Sequence, residues 1–367
     1  MEFLIALIPL FPLLAAFFIG IGNLLGKING EAGESMTSNA ATGAITMSCI
    51  LALLLLGADL FGKNATTYTL GQWLSSDSLE IQAVFITSGF NTVITALFAI
   101  LLFIVTRFSV NYMHREAGFH RYFFILSLFS AAMLLLVSAG SAVGTFIGWE
   151  IAGLSSYLLI GYAYDRQVPT GNATRVYVTN RIGDAGFVLG IGLSYFYAGT
   201  INWLELNAMA EHLTMPTVTV IALCFAVAAF VKSAQLPFSP WLARAMEGPT
   251  PSSAIFYGSV MIHAGVFLVI MLQPLFEQAP FIMVLLAIAG FVTAVYSFIV
   301  GLTQTDVKSS YSFAISGQLG LIFLECGLGL WELAAWHLCA HAIVRCYQVL
   351  TAPALMHNVI GNPIKPV

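Results

Sequence analysis

Windows of about 20 apolar residues, each long enough to cross about 30 Å of hydrocarbon, recur along this 367-residue sequence from one end to the other. They fall at 3–25, 40–62, 83–107, 121–139, 141–163, 176–198, 215–246, 250–272, 280–302, 309–330 and 333–353. No stretch between them has room for a soluble domain. The sequence therefore reads as an all-α polytopic membrane protein of about 11 transmembrane helices, with residues 1–367 as a single domain. Composition agrees, since 8% of the residues are charged against about 25% in soluble domains. Basic residues this few and scattered form no phosphate-binding patch, so the lipid bilayer is an expected partner and nucleic acid is not.

The start, MEFLIALIPLFPLLAAFFIGIG, lacks the basic residues and small-residue cleavage site of a signal peptide and reads as the first retained span. Cys49, Cys224, Cys326, Cys339 and Cys346 lie in apolar runs without a CxxC pair and read as packing residues. If the spans alternate, Lys27, Arg107, Arg115, Arg121, Arg166, Arg175, Arg181, Arg244, Lys308 and Lys365 fall on one side and only Lys63 on the other. The positive-inside rule then places the N-terminus outside and the C-terminus in the cytoplasm, across a cell's inner (cytoplasmic) membrane.

The seventh window is longer than a crossing needs and contains Lys232, Pro237 and Pro240. Proline removes a backbone donor and clashes with the preceding turn, so a helix break is expected near FVKSAQLPFSPWL. Such breaks are tolerated where they face protein or a water-filled cavity, which makes this the first place to look for function.

The buried charges follow. Glu150 sits about nine residues into its window, near mid-bilayer and too deep to snorkel. An acid there pairs with a cation or carries protons; a protonated packing glutamate is the other reading. Lys232 is its expected partner, either as a movable proton-relay pair or as a static ion pair. His337, His341 and Arg345 recur at steps of four on one helical face, a candidate relay or polar helix glue. A metal is not expected, since a metalloprotease helix needs a glutamate where Leu338 stands. His263 is a lone polar residue on an apolar helix, either packing or a second relay element. Arg175, Arg181 and Asp184 are expected at the cytoplasmic edge of the sixth span, as supporting charges. Asp306 and Lys308 read as a solvated loop pair. No nucleotide loop, CxxC cluster or haem motif is present, so no cofactor and no active site of its own are expected.

Four stretches together resemble the antiporter-like membrane subunits of respiratory complex I, above all its L subunit. They are GWEIAGLSSYLLIGYAY, NRIGDAGFVLGIG, VKSAQLPFSPWLARAMEGPTPSSA and LTQTDVKSSYSFAISGQLGLIFLECGLGLWELAAWHLCAHAIVR. They are also similar to the large subunit of Mrp-type Na+/H+ antiporters and to DabB-type subunits of inorganic-carbon uptake complexes. The resemblance implies a proton-translocating subunit of a multisubunit complex, such as an NADH:quinone oxidoreductase-type translocase. It also implies that Glu150 and Lys232 form a pair whose separation changes with proton movement, and that His337 and His341 line a central hydrated axis. The DabB alternative implies proton flow coupled to a cytoplasmic zinc-binding partner that captures CO2 or bicarbonate.

Three departures from the family pattern stand out. Arg345 replaces a lysine, and arginine does not release its proton in proteins. Tyr257 replaces a histidine, with His263 about two turns away. The family's twelfth helix and long lateral helix are absent after the eleventh span, which implies either another membrane subunit that completes the exit half-channel or a chain that only conducts protons toward a partner.

Overall fold

Backbone polar groups inside a bilayer must be satisfied within the protein, so apolar windows of this length fold as helices. The computed structural model describes residues 2–76 and 79–352, and it places helix at each of the eleven windows. The first part of the chain runs α1 (Leu4–Leu24), α2 (Gly30–Leu60), a hairpin of β1 (Thr67–Ser76) and β2 (Leu79–Ile86), then α3 (Phe90–Tyr112), α4 (Phe119–Ser138), α5 (Ala142–Ile160) and α6 (Gln167–Ala198). The short α7 (Trp203–Met209) leads into α8 (Met215–Lys232), α9 (Pro240–Arg244), α10 (Thr250–Ser253), α11 (Ala264–Met271) and α12 (Gln273–Glu277). Three long helices follow: α13 (Pro280–Gly301), α14 (Val307–Gly327) and α15 (Trp331–Leu350).

Eight helical segments among the described residues are long and apolar enough to cross a bilayer: α1 to α5, α8, the run Thr250–Met271 and α13. The remaining long helices, α6, α14 and α15, are too polar to meet that mark, although they have 32, 21 and 20 residues. Lys365, counted above for orientation, lies outside the described residues.

Two boundaries differ from expectation. Residues 83–86 belong to β2, which pairs antiparallel with β1, so the third span begins only at Phe90 after Gly89 turns the chain at φ 67°. The sixth helix starts at Gln167, nine residues before its apolar window, with Pro169 in its first turn, where proline costs no helical hydrogen bond. The seventh window breaks where expected, since its helix has 18 residues and ends at Lys232. The eighth is irregular too, with a π-helical turn at Ala254–Ser259 and a 3-10 turn at Met261–His263. Asp306 does not pair with Lys308; its carboxylate accepts from Ser309 N at 2.8 Å and caps α14.

The core is continuous and apolar, and the close contact of α13 with α14 is made by small residues. A Cβ built at Gly290 of α13 meets Gly320 O of α14 at 2.4 Å, and one built at Gly320 meets Gly290 O at 2.6 Å. Only glycine permits that backbone approach, the usual device where lipid supplies no hydrophobic drive between helices. Gly290→Ala is therefore expected to destabilise the protein by about 1–3 kcal/mol through overpacking. Gly192→Ala, in α6 with open space around it, is the control and should be neutral or stabilising by up to ~1 kcal/mol. Thermal unfolding in detergent reads both, and equal stability of the two variants contradicts this account of the α13–α14 contact.

Candidate functional site

The chain leaves helical geometry at Ser233, and the freed backbone groups are met one by one from neighbouring elements. Leu236 N donates to Thr293 Oγ1 of α13 at 3.0 Å, and Ser316 Oγ of α14 donates to Ala234 O at 3.0 Å. Gln235 Nε2 donates to Ser233 O, and Trp241 Nε1 of α9 donates to Val231 O, both at 2.9 Å. Ala234 has φ 50° and the Leu236–Pro237 peptide is cis. Pro237 lies in the unwound stretch and Pro240 opens α9. Lys232, the last residue of α8, is thus held at a helix end where unshared carbonyls favour a cation. Its side chain is 2% exposed, with Nζ 3.2 Å from Trp149 O and 4.8 Å from the centre of the Trp149 ring.

The direct Glu150–Lys232 pair expected above is not formed. Successive residues of α5 point about 100° apart, so Trp149 lies against Lys232 and Asp184 while Glu150 turns to Arg181. Arg181 Nη2 contacts Glu150 Oε2 at 2.5 Å and its Nε lies 3.2 Å from Asp184 Oδ2. Trp149 Nε1 donates to Asp184 Oδ1 at 2.9 Å and so links this charged triad to the tryptophan that Lys232 touches. Arg181 and Asp184 are the fifteenth and eighteenth residues of α6, opposite the middle of α5, and not at the helix edge where the sequence reading placed them. Arg175 is exposed and stays apart from the triad.

The histidines form a second group. His263 Nε2 and His341 Nδ1 are 2.8 Å apart, and both residues are buried. Arg345 Nε donates to His341 Nε2 at 3.2 Å, while its Nη1 donates to Gln348 Oε1 and its Nη2 to Ala314 O. Guanidinium N–H groups only donate, so His341 Nε2 must accept. Neutral His341 then carries its hydrogen on Nδ1 and donates to His263 Nε2. Arg345 thereby sets the tautomer of both rings. His337 shares the helix face but makes no hydrogen bond to His341; it turns to α14, with Nδ1 2.9 Å from Glu325 Oε1 and Nε2 3.0 Å from Gln318 Oε1. The two groups approach each other where Ser233 Oγ, next to Lys232, donates to Ile262 O, next to His263, at 2.7 Å.

Sequence reasoning missed Glu325, Gln318, Trp149 and Ser233. Glu325 had a usable signal, an acid inside an apolar window 12 residues before His337. Tyr257, expected as a departure from a histidine, is buried in the π-helical turn with its ring 5.8 Å from that of Trp241. No group of three metal-ligating side chains occurs among the described residues.

Residues 139–361 match the family model described as NADH:quinone oxidoreductase/Mrp antiporter, TM, and residues 73–123 match the complex I chain 5 N-terminus. The NAD(P)H-quinone oxidoreductase chain 5 of Picosynechococcus sp. is 34% identical over 97% of this chain and 55% of its own length. The NADH-ubiquinone oxidoreductase chain 5 of Rhizopus stolonifer is 32% identical over 94% of this chain and 52% of its own. The chain thus spans about half the length of the curated relatives it matches. Among solved structures, a chain of the Mrp complex from Dietzia sp. superposes with TM-score 0.80 at 26% identity, covering 93% of this chain and 37% of the other. An archaeal membrane-bound sulfane sulfur reductase chain shares the fold with TM-score 0.82 at 22% identity, over 94% of this chain and 70% of the other.

Trp149 links the charged triad to Lys232, so its indole hydrogen bond has a measurable role. Trp149→Phe keeps the ring but leaves buried Asp184 without that donor, a loss of about 1.5–3 kcal/mol for a hydrogen bond to a charged group. Thermal unfolding in detergent measures it, and unchanged stability means that the link contributes nothing to folding.

Proposed function

The chain belongs to the NADH:quinone oxidoreductase/Mrp antiporter transmembrane family, and we propose that it is a proton-conducting membrane subunit of a larger energy-coupling complex. The observation that carries this reading is the contact of 2.8 Å between buried His263 and His341. Two imidazoles at that distance share one hydrogen between facing nitrogens, so the pair has a place for one transferable proton and not for two.

Each end of the pathway has a defined role in this proposal. Lys232 is a buried cation beside the unwound stretch, and the Glu150–Arg181–Asp184 triad is the nearby group toward which it is drawn when it carries a proton. Arg181 holds Glu150 when Lys232 is neutral, so two cations compete for one set of carboxylates. Lys232 and Asp184 are buried, which strengthens that competition, since opposite charges attract far more strongly away from water. His263 and His341 carry the proton onward from the break, and His337 with Glu325 and Gln318 forms a side branch of the same axis. Arg345 cannot surrender its proton and occupies His341 Nε2, so it acts as a fixed barrier on that side of the ring.

In this arrangement α6, α14 and α15 also cross the bilayer, α6 shielded by its polar contacts with α5 and α14 and α15 by those with each other, which makes eleven crossings in all. The Lys and Arg pattern puts the N-terminus outside and the C-terminus on the cytoplasmic side. Partners are other membrane subunits of that complex.

Lys232→Ala is expected to abolish proton-coupled activity in the reconstituted complex while assembly is retained, and wild-type proton flux in vesicles would sink the proposal. Arg345→Lys keeps a positive charge but can release its proton, so leak through the reconstituted complex should rise above wild type. The same leak in both marks Arg345 as a structural anchor.

A further inference from the structure

Two cavities meet at one end of the bundle, where α1 ends and α4 begins, and they differ in character. One, about 500 Å³, is an apolar groove between these helices, floored by Phe17, Ile21, Leu24 and Phe124. The other, about 720 Å³, is polar and lies against the loop that follows α5, where Tyr162, Tyr164, Asp165 and Arg166 face Glu116. Asn23, His120 and Arg121 line both, so the two are halves of one amphipathic site. Phe17, Ile21 and Leu24 are 58%, 53% and 86% exposed, a surface suited to acyl chains.

We propose that this site holds a phospholipid with a primary-amine headgroup, of the phosphatidylethanolamine class, its tail along the α1–α4 groove and its head in the polar cavity. Arg121 is the anchor for the phosphate. Its guanidinium stacks 4.9 Å from the Tyr162 ring and 4.6 Å from the Tyr164 ring, and Nη2 donates to Tyr162 O at 2.8 Å. It makes no ion pair among the described residues, so its remaining donors are available to an oxyanion in the planar, two-pronged geometry phosphate favours.

The head cavity also discriminates among phospholipids. It carries two cations, Arg121 and Arg166, and two carboxylates, Glu116 and Asp165, none of them ion-paired among the described residues. A lining with no net charge matches a zwitterion better than an anion. Tyr162 and Tyr164 offer ring faces that would suit a quaternary ammonium, but Arg121 lies over both. An ammonium that donates hydrogen bonds to Glu116 and Asp165 fits what is left. The tyrosines also suit the headgroup level of a bilayer, where amphipathic rings concentrate.

The test is native mass spectrometry of the detergent-purified protein, titrated with phosphatidylethanolamine, phosphatidylcholine and phosphatidylglycerol of matched acyl chains. Phosphatidylethanolamine should be retained roughly fivefold better than phosphatidylcholine, the discrimination that an interfacial ion pair supplies. The Glu116→Gln, Asp165→Asn double variant should remove that preference while still binding both lipids, and Arg121→Gln should weaken all three. Neither carboxylate side chain makes a hydrogen bond within the described structure, so the double variant tests recognition without disturbing the fold. Equal retention of the three lipids, preference for phosphatidylglycerol, or a preference unchanged in the double variant overturns the proposal. So does O-phosphoethanolamine binding as tightly as the intact lipid, since the site would then take a soluble headgroup.

Discussion

Backbone groups freed inside a bilayer must find partners in the protein, and the segment after Lys232 meets this constraint in full view. Thr293 and Ser316 reach in from α13 and α14, and Trp241 folds back from α9. Those three helices are therefore tied to the break as well as to one another. The close α13–α14 contact at Gly290 and Gly320 is part of the same arrangement, because it holds Thr293 and Ser316 on one wall. Without the break, α8 would continue as an ordinary helix and Lys232 would lie in its interior with no surplus carbonyls near it.

The polar side chains inside the bundle are organised as neighbours of that segment. On one side, Lys232 rests on Trp149, whose indole nitrogen is committed to Asp184 and through it to Arg181 and Glu150. On the other, Ser233 is bonded to the chain just before His263, which meets His341. Both groups sit against irregular backbone, the unwound stretch after α8 and the π and 3-10 turns before α11. Irregular backbone offers carbonyls that regular helices keep to themselves, and it allows side chains to be aimed across a helix boundary.

Much of this was legible in the sequence. The positions of the helices followed from apolar length alone, and the break followed from two prolines. Its starting point was legible too, in hindsight: a proline at 237 clashes with the carbonyl of residue 233, so the helix ends at Lys232. What could not be read was rotation and exact depth. Glu150 and Lys232 were both read as buried, but only Lys232 is fully so while Glu150 is partly exposed, and which neighbour each faces depends on how α5, α6 and α8 are turned about their axes. Arg181 was placed too shallow because QVPTGNATR reads as a polar loop, whereas it forms the first turns of α6. The hairpin went unseen because AVFI in β2 runs into the apolar stretch of α3, and hydropathy does not distinguish strand from helix over four residues.

The polarity of α6, α14 and α15 bears on how the protein is made. A helix carrying Arg181 and Asp184, or Glu325 and Gln318, is a poor candidate for entering lipid by itself, since each charge adds about 2.5–3.5 kcal/mol to the cost of insertion at the helix centre. Their partners lie on the adjacent helix in the chain: Glu150 on α5 for α6, and His337 on α15 for α14. With the proposed eleven crossings, the unit that partitions into the membrane is then the helical hairpin and not the single helix. On the proposed reading, synthesis of α14 must wait on α15 before either is at home in lipid, so the order in which the chain emerges becomes part of the information that builds the proposed pathway.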